Sequence, residues 1–200
     1  MISGAPETVD ILVFGAHPDD AEIGMAGTIA KHAAAGRRVG VCDLTRAELS
    51  SNGSPELRAR EAAAAATALG LAYRGNLGLP DRGLTGAPGQ VEAIVREIRR
   101  RKPRIVFAPY WIDRHPDHTA CSRLVEEAVF NAKLRRYAPD APAWTVERLY
   151  FYFINDTADA DAAVDVSGVY EAKLAALRAY RSQFMPEGAD AVRTPLTAGY

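Results

Sequence analysis

The sequence predicts one α/β domain with a mainly parallel sheet, strand order near 3-2-1-4-5, and helices on both faces. Three observations carry this. Strand-like and helix-like patterns alternate along the chain. The first two strand patterns, "DILVFGA" and "RVGVCDLT", are built on the apolar runs 11–14 and 39–42 and read as buried strands, as strands covered on both faces do. The chain has 200 residues, 48% of them hydrophobic, and no repeat or linker divides it, so residues 1–200 read as one domain.

The elements follow in order. Residues 10–16 form the first strand, and "EIGMAGTIAKHAAAG" (22–36) forms a helix stopped by Gly36. Residues 38–45 form the second strand. After the loop "RAELSSNG", Ser54 caps a helix and Pro55 opens it. That helix, "PELRAREAAAAATALG", is alanine-rich and ends at Gly70. "LAYRGN" is a short third strand, followed by a Gly/Pro-rich loop at 77–89. "QVEAIVREIRRR" is an amphipathic helix, and "RIVFAPY" (104–110) is the fourth strand. "DHTACSRLVEEAVFNAKLRR" is the fourth helix. "VERLYFYFI" (146–154) alternates, which suits a strand nearer an edge, and residues 169–184 close the pattern with a helix. The remainder, "MPEGADAVRTPLTAGY", is too rich in Gly and Pro to assign.

Charge and composition exclude several classes. The net charge is −1 and the pI about 6.4, so there is no basic field for nucleic acid or an anionic membrane. The basic run at 96–104 reads as a solvated helix end. No apolar stretch approaches the roughly 20 residues of a membrane span. The N-terminus lacks the charged start and apolar core of a secretory signal. Cys42 and Cys121 match no metal or redox spacing and read as reduced structural thiols. The expectation is a cytoplasmic protein.

Three of the four histidines fall in two similar boxes, His17-Pro18-Asp19-Asp20 and His115-Pro116-Asp117-His118. Each box follows an apolar strand and opens a helix. With strand order 3-2-1-4-5, strands one and four are neighbours at the point where the order reverses, and ligands bind there. The two boxes are then halves of one site. Proline disfavours helical geometry at the histidine before it and suits the first turn after it. Carboxylates in that first turn face free N–H groups and the positive helix end.

His17 and Asp20 can reach one point, and His118 can approach it from the second box. Two imidazoles and one carboxylate make a facial metal set with positions left open. Zinc suits hydrolysis, and the same set also suits ferrous iron. Asp19 lies beside the metal, placed to take a proton from water, and His115 lies across the site, placed to stabilise an oxyanion or protonate a leaving amine. Asp117 could hold His115 in orientation. A single His-Pro-Asp tripeptide is weak evidence, because all three residues are common in turns. Two of them, each after a strand, are not. His32, in the alanine-rich helix, is the contrast and reads as a surface or packing histidine.

"AHPDDAEIG" together with "HPDH" resembles the LmbE-like, PIG-L-type family of metal-dependent N-deacetylases. "DLTRAE", "NLGLPDRGL" and "PYWIDRHPDH" resemble more narrowly the branch that deacetylates N-acetylglucosaminyl malate in bacillithiol biosynthesis. The resemblance runs from about residue 10 to residue 184. It implies a Rossmann-like domain, zinc on His17, Asp20 and His118, Asp19 as general base, and His115 as the histidine that assists the tetrahedral intermediate. It also places a substrate-binding arginine at Arg58 and an acidic loop residue at Glu48, and implies a homo-oligomer, trimer or hexamer. Two departures stand out. Ala47 occupies a position where relatives commonly have glycine, and the chain stops at Tyr200, where the resemblance leads one to expect further sequence.

The loops after strands two to four also supply Asp81, Arg82, Tyr110, Trp111, Asp113 and Arg114. These polar groups could bind sugar hydroxyls, and Arg58 or Arg82 could pair with a carboxylate such as that of malate. The blander reading is turn chemistry at Asp81-Arg82 and a surface pair at Asp113-Arg114. The leading expectation is removal of an N-acetyl group from an amino-sugar conjugate. Other N-acetylglucosamine substrates, such as chitooligosaccharides, mycothiol-type or glycolipid precursors, are the alternatives. A dinucleotide-binding protein is disfavoured because Gly-Ala-His-Pro, not GxGxxG, follows the first strand. A non-catalytic metal module is disfavoured because structural zinc sites usually carry four protein ligands.

Overall fold

A computed structural model describes residues 8–198. The N-terminal signal reading falls largely on residues 1–7, and the chain end at Tyr200 also lies outside the described residues. Five strands, β1 (Ile11–Gly15), β2 (Val39–Thr45), β3 (Tyr73–Leu79), β4 (Ile105–Pro109) and β5 (Arg148–Tyr152), form one sheet in the order β3-β2-β1-β4-β5. All four pairings are parallel. The helices are α1 (Asp20–Ala34), α2 (Pro55–Leu69), α3 (Pro88–Arg101), α4 (Pro116–Ala132), α5 (Tyr170–Ala179) and a single turn, α6 (Arg181–Phe184).

Successive residues of β1 point to opposite faces, and each face is apolar. Leu12 and Phe14 join Leu44, Ile94, Ile98 and Val125 under α3 and α4. Ile11 and Val13 join Val41, Ile29, Ala65 and Tyr180 under α1, α2 and α5. Burying a side chain such as Phe14 contributes about 1.5–3 kcal/mol. Both cysteines are buried and unpaired. Helix α1 lies close against the end of β5, because a Cβ at Gly24 would meet the Phe153 carbonyl and the Tyr152 ring at 2.4 Å. No helix of the described residues is long and apolar enough to cross a membrane.

Three local readings change. β3 runs on through Leu79, into the segment read as loop, by way of an irregularity opposite Asp43–Thr45. Gly78 (φ 63°) supplies the left-handed turn there, and its N–H donates to Asn76 Oδ1 at 2.8 Å. α4 ends at Ala132, short of residue 136. Arg99 explains this: although it lies in the run read as solvated, it is 2% exposed. Its guanidinium donates to the carbonyls of Asn131, Ala132, Leu134, Ala138 and Ala141, drawing the chain into a loop. The last helix divides at Tyr180 into α5 and α6.

Candidate active site

β1 and β4 are paired neighbours, so their carboxyl ends bring together boxes about a hundred residues apart in sequence. The His17 and His115 rings lie 4.7 Å apart between centroids, and His17 and His118 lie 5.5 Å apart. The second box has the backbone its sequence dictates: His115 is extended (φ −89°, ψ 119°), and Pro116 begins α4. The first box is tighter than proline chemistry alone suggests. Pro18 lies in a turn, α1 begins at Asp20, and Asp19 adopts φ 119°. A residue other than glycine held there costs on the order of 1–3 kcal/mol. The turn lets the Asp20 carboxylate fold back and accept the His17 N–H at 2.8 Å.

The two histidines are turned in opposite senses. His17 Nε2 faces the carboxylates of Asp81 and Asp117, each at 3.4 Å, which leaves Nδ1 toward Asp20 Oδ2 at 3.5 Å. His118 Nδ1 faces Asp113 Oδ1 at 3.1 Å, which leaves Nε2 toward Asp20 Oδ1 at 3.0 Å. A carboxylate on the far nitrogen fixes the tautomer whose other nitrogen offers its lone pair. Metal bonds of about 2.0–2.2 Å at tetrahedral angles put neighbouring donors about 3.3–3.6 Å apart, which is the scale of the spacings around Asp20. The two spacings run to different oxygens of Asp20, so His17 Nδ1, Asp20 and His118 Nε2 are candidate ligands of one divalent cation. His17, Asp81 and Asp117 form a second group whose donor atoms lie within 4.8 Å of one another. His115 is also close, since nitrogens of His17, His115 and His118 lie within 4.8 Å of one another. Its Nδ1, however, accepts the Asp117 N–H at 3.2 Å, so Nε2 carries the proton and acts as a donor.

Electrostatics separate the roles. Burial works against charge on His17 and His118, but the facing carboxylates, Asp20 foremost, outweigh it and raise both pKa values. Burial would push Asp20 up, yet His118 and His17 hold it well below the usual carboxylate range. Burial pushes Asp19 up to about 6 against the opposing pull of Arg58, whose Nη2 is 3.0 Å from Asp19 Oδ2. His115 is lowered by burial and by the neighbouring histidines. Five aspartates (19, 20, 81, 113 and 117) thus crowd three imidazoles and favour a cation.

A cavity of about 510 Å³ opens over this group, within the range of small-molecule sites. His17, Asp19, Asp20, His115, His118, Arg58, Asp81 and Arg82 line it. Glu48, Tyr110 and Asp113 do not. Glu48 is exposed and accepts its own loop's Arg46 N–H at 3.1 Å. Tyr110 packs on Trp111 and Phe153. Asp113 lies behind His118, held by the His115 N–H at 2.7 Å and Asn155 Nδ2 at 2.8 Å. Asp117 is also placed otherwise than expected. Its carboxylate faces His17 and takes the Arg82 N–H at 2.9 Å, and only its backbone N–H reaches His115. Arg58 is 2% exposed and turns inward to Asp19 and the Pro18 carbonyl instead of outward as a free substrate clamp. Ala47 takes φ 55°, so the loop has a glycine-like backbone despite the alanine.

Sequence reasoning missed Asn155 and Ser50, in loops, and Gln183, in α6, all of which line the cavity. It also missed a buried network beneath the site. Arg74 pairs with Glu22 and Asp43, and Tyr180 bridges Glu22 and Arg74 at 3.1 Å each. Two carboxylates share one guanidinium, and burial pushes Asp43 up to about 7 despite Arg74.

The family model described as PIG-L, GlcNAc-PI de-N-acetylase, matches residues 12–129, more than half of the chain and both His boxes. The chain belongs to the PIG-L family. It is 31% identical to diacetylchitobiose deacetylase of Thermococcus kodakarensis, over 87% of this chain and 70% of that one. It is 30% identical to a probable N-acetyl-α-D-glucosaminyl L-malate deacetylase 2 of Bacillus subtilis, over 86% and 82%. Among solved structures, the conserved protein TT1542 of Thermus thermophilus is 48% identical, with a TM-score of 0.85 over 88% of this chain and 80% of that one. PIG-L deacetylases are metal-dependent as a group, and the His/Asp cluster of this PIG-L chain is a candidate metal site.

Proposed function

We propose that this PIG-L protein is a zinc-dependent N-deacetylase acting on an N-acetylglucosamine conjugate, with N-acetyl-α-D-glucosaminyl L-malate as the substrate. The observation that carries the reading is the turning of His17 Nδ1 and His118 Nε2 toward the two oxygens of Asp20, with the Asp19 carboxylate next in the chain. A divalent cation held by His17, Asp20 and His118 would polarise the acetamide carbonyl and acidify water at the site. Asp19, with its carboxyl pushed up to about 6, takes the proton of the attacking water. His115 is held by the Asp117 amide with Nε2–H outward and donates to the oxygen that becomes negative in the tetrahedral intermediate. The amine then leaves with the proton that Asp19 collected.

The malate conjugate is favoured over a neutral chitooligosaccharide by charge. Arg82 and Arg114, both exposed, line the cavity and suit a carboxylate carried by the sugar's partner. Relatives at about 30% identity act on either kind of substrate by name, so similarity does not choose between them. Localisation in the cytoplasm and assembly into a homo-oligomer belong to the same proposal.

The test is acetate release from N-acetylglucosaminyl malate, diacetylchitobiose and N-acetylglucosaminyl inositol. It is run on protein stripped by chelator and then reloaded with zinc or, anaerobically, with ferrous iron. Release restored by zinc, greatest with the malate conjugate, is expected. No release from any of the three with metal bound would end the deacetylase reading, and preference for diacetylchitobiose would end the malate assignment.

A further inference from the structure

The segment after α6 carries no part of the chemistry above, yet it is built into the cavity. Thr194, Pro195 and Leu196 line it together with His17, Asp20 and His118. The segment is fastened at one residue. Asn52, 7% exposed, donates from Nδ2 to the Val192 carbonyl at 2.9 Å and accepts the Val192 N–H on Oδ1 at 2.9 Å. The side-chain amide thus replaces both partners that a neighbouring strand would give Val192.

Asn52 is itself held from behind. Gln183 Nε2 donates to its carbonyl at 2.9 Å, and Ser50 Oγ donates to Gln183 Oε1 at 3.2 Å. Ser182 N–H and Oγ both donate to the buried Glu61 carboxylate, at 2.8 and 2.7 Å, which anchors α6 on α2. Closer to the cavity, Thr194 and Thr197 close a turn at 2.9 Å that shapes the Pro195-Leu196 corner. The anchoring side chains of Asn52, Glu61, Ser182 and Gln183 are buried, whereas Val192 is half-exposed, and satisfied buried polar groups fix the geometry of the anchor.

We propose that residues 192–196 are the specificity wall of the cavity, held by the side chain of Asn52, and that they limit the size of the group the amino sugar carries. This rests on the deacetylase reading above and deepens it. Of the wall, Thr194, Pro195 and Leu196 line the cavity and carry no charge, while the exposed Arg193 does not line it, so the wall packs against the substrate's bulk and leaves charge recognition to Arg82 and Arg114. Apolar walls discriminate by about 10–200-fold per added or missing group, enough to choose among conjugates of one sugar.

The experiment compares the full-length, zinc-loaded wild type with Leu196→Trp, Leu196→Ala, Asn52→Ala and Asn52→Asp. Acetate release is measured on N-acetylglucosamine, its malate conjugate and N-acetylchitooligosaccharides of rising length. The wall predicts that Leu196→Trp lowers kcat/KM for the larger substrates relative to the free sugar by about tenfold or more, through KM, and that Leu196→Ala shifts the ratio the other way. Unchanged ratios in both Leu196 variants would overturn the proposal. A second readout needs no turnover. Hydrogen exchange at the Val192 amide should quicken by about tenfold or more in Asn52→Ala and stay slower in Asn52→Asp, which keeps the accepting oxygen. Equal exchange in wild type and Asn52→Ala would overturn the clamp. If wild type releases no acetate at all, the functional reading fails and the exchange measurement alone decides the clamp.

Discussion

The carboxylate of Asp113 stands 3.1 Å from Nδ1 of His118, on the opposite side of the ring from the nitrogen that meets Asp20 at 3.0 Å. A residue read from sequence as substrate-binding thus stands behind a proposed metal ligand. Asp113→Ala should weaken zinc binding by about 10–100-fold while changing KM little. Competition with a fluorescent chelator measures this. Unaltered affinity with a raised KM would return Asp113 to the substrate side.

Asp19→Asn should keep zinc and lose roughly 10²–10⁴-fold in kcat, the usual loss for a missing general base. Only the carboxylate form accepts a proton, so kcat/KM of the wild type should fall as pH drops through a pKa of about 6 and level off above it. A bound cation adds positive charge nearby and can only lower that limb. A pH–rate profile whose acid limb survives unchanged in the variant contradicts the role.

Arg58 holds the Asp19 carboxylate at 3.0 Å inside the protein. Arg58→Met removes the charge that opposes the burial shift, so the acid limb should move to higher pH. Breaking a buried pair by deleting one partner also costs about 3–5 kcal/mol, which denaturant unfolding of the zinc-free protein will show. An unshifted limb with only a raised KM would make Arg58 a plain substrate contact.

Asp43 behaves opposite to an ordinary surface aspartate. Its folded pKa of about 7 lies above the usual unfolded value of about 3.9, so the folded state keeps a proton that the unfolded state releases between those pH values. Its contribution to stability is therefore greatest below that window and is lost as pH rises through it. Asp43→Asn cannot release the proton, so the stability gap between variant and wild type should move in the variant's favour from pH 5 to pH 8. Thermal melts across that range test the sign, and a gap independent of pH would refute it.

What was legible in the sequence followed from short-range physics. The apolar runs and the prolines after His17 and His115 marked the strands and loop positions, and the order β3-β2-β1-β4-β5 placed both boxes at one switch point. The side-chain directions were less legible. Asp113, Asp117 and Arg58 could be named but not aimed, because rotamers turn on partners such as Asn155, Arg82 and Pro18 that sequence separation hides. Glu22, Arg74 and Tyr180 gave no signal, being ordinary residues in a helix, a strand and a helix end that only the packed core brings together. Arg99 shows the same limit: in a basic run nothing local distinguishes the one arginine that is buried.

The proposed chemistry turns on where the cation sits. Anomalous diffraction at the zinc edge, on crystals grown with one equivalent of zinc, locates it directly. A single peak bonded to His17 Nδ1, Asp20 and His118 Nε2, at about 2.0–2.2 Å from each, is the predicted result. A peak held instead by His115, or on the Nε2 side of His17 between Asp81 and Asp117, would contradict it.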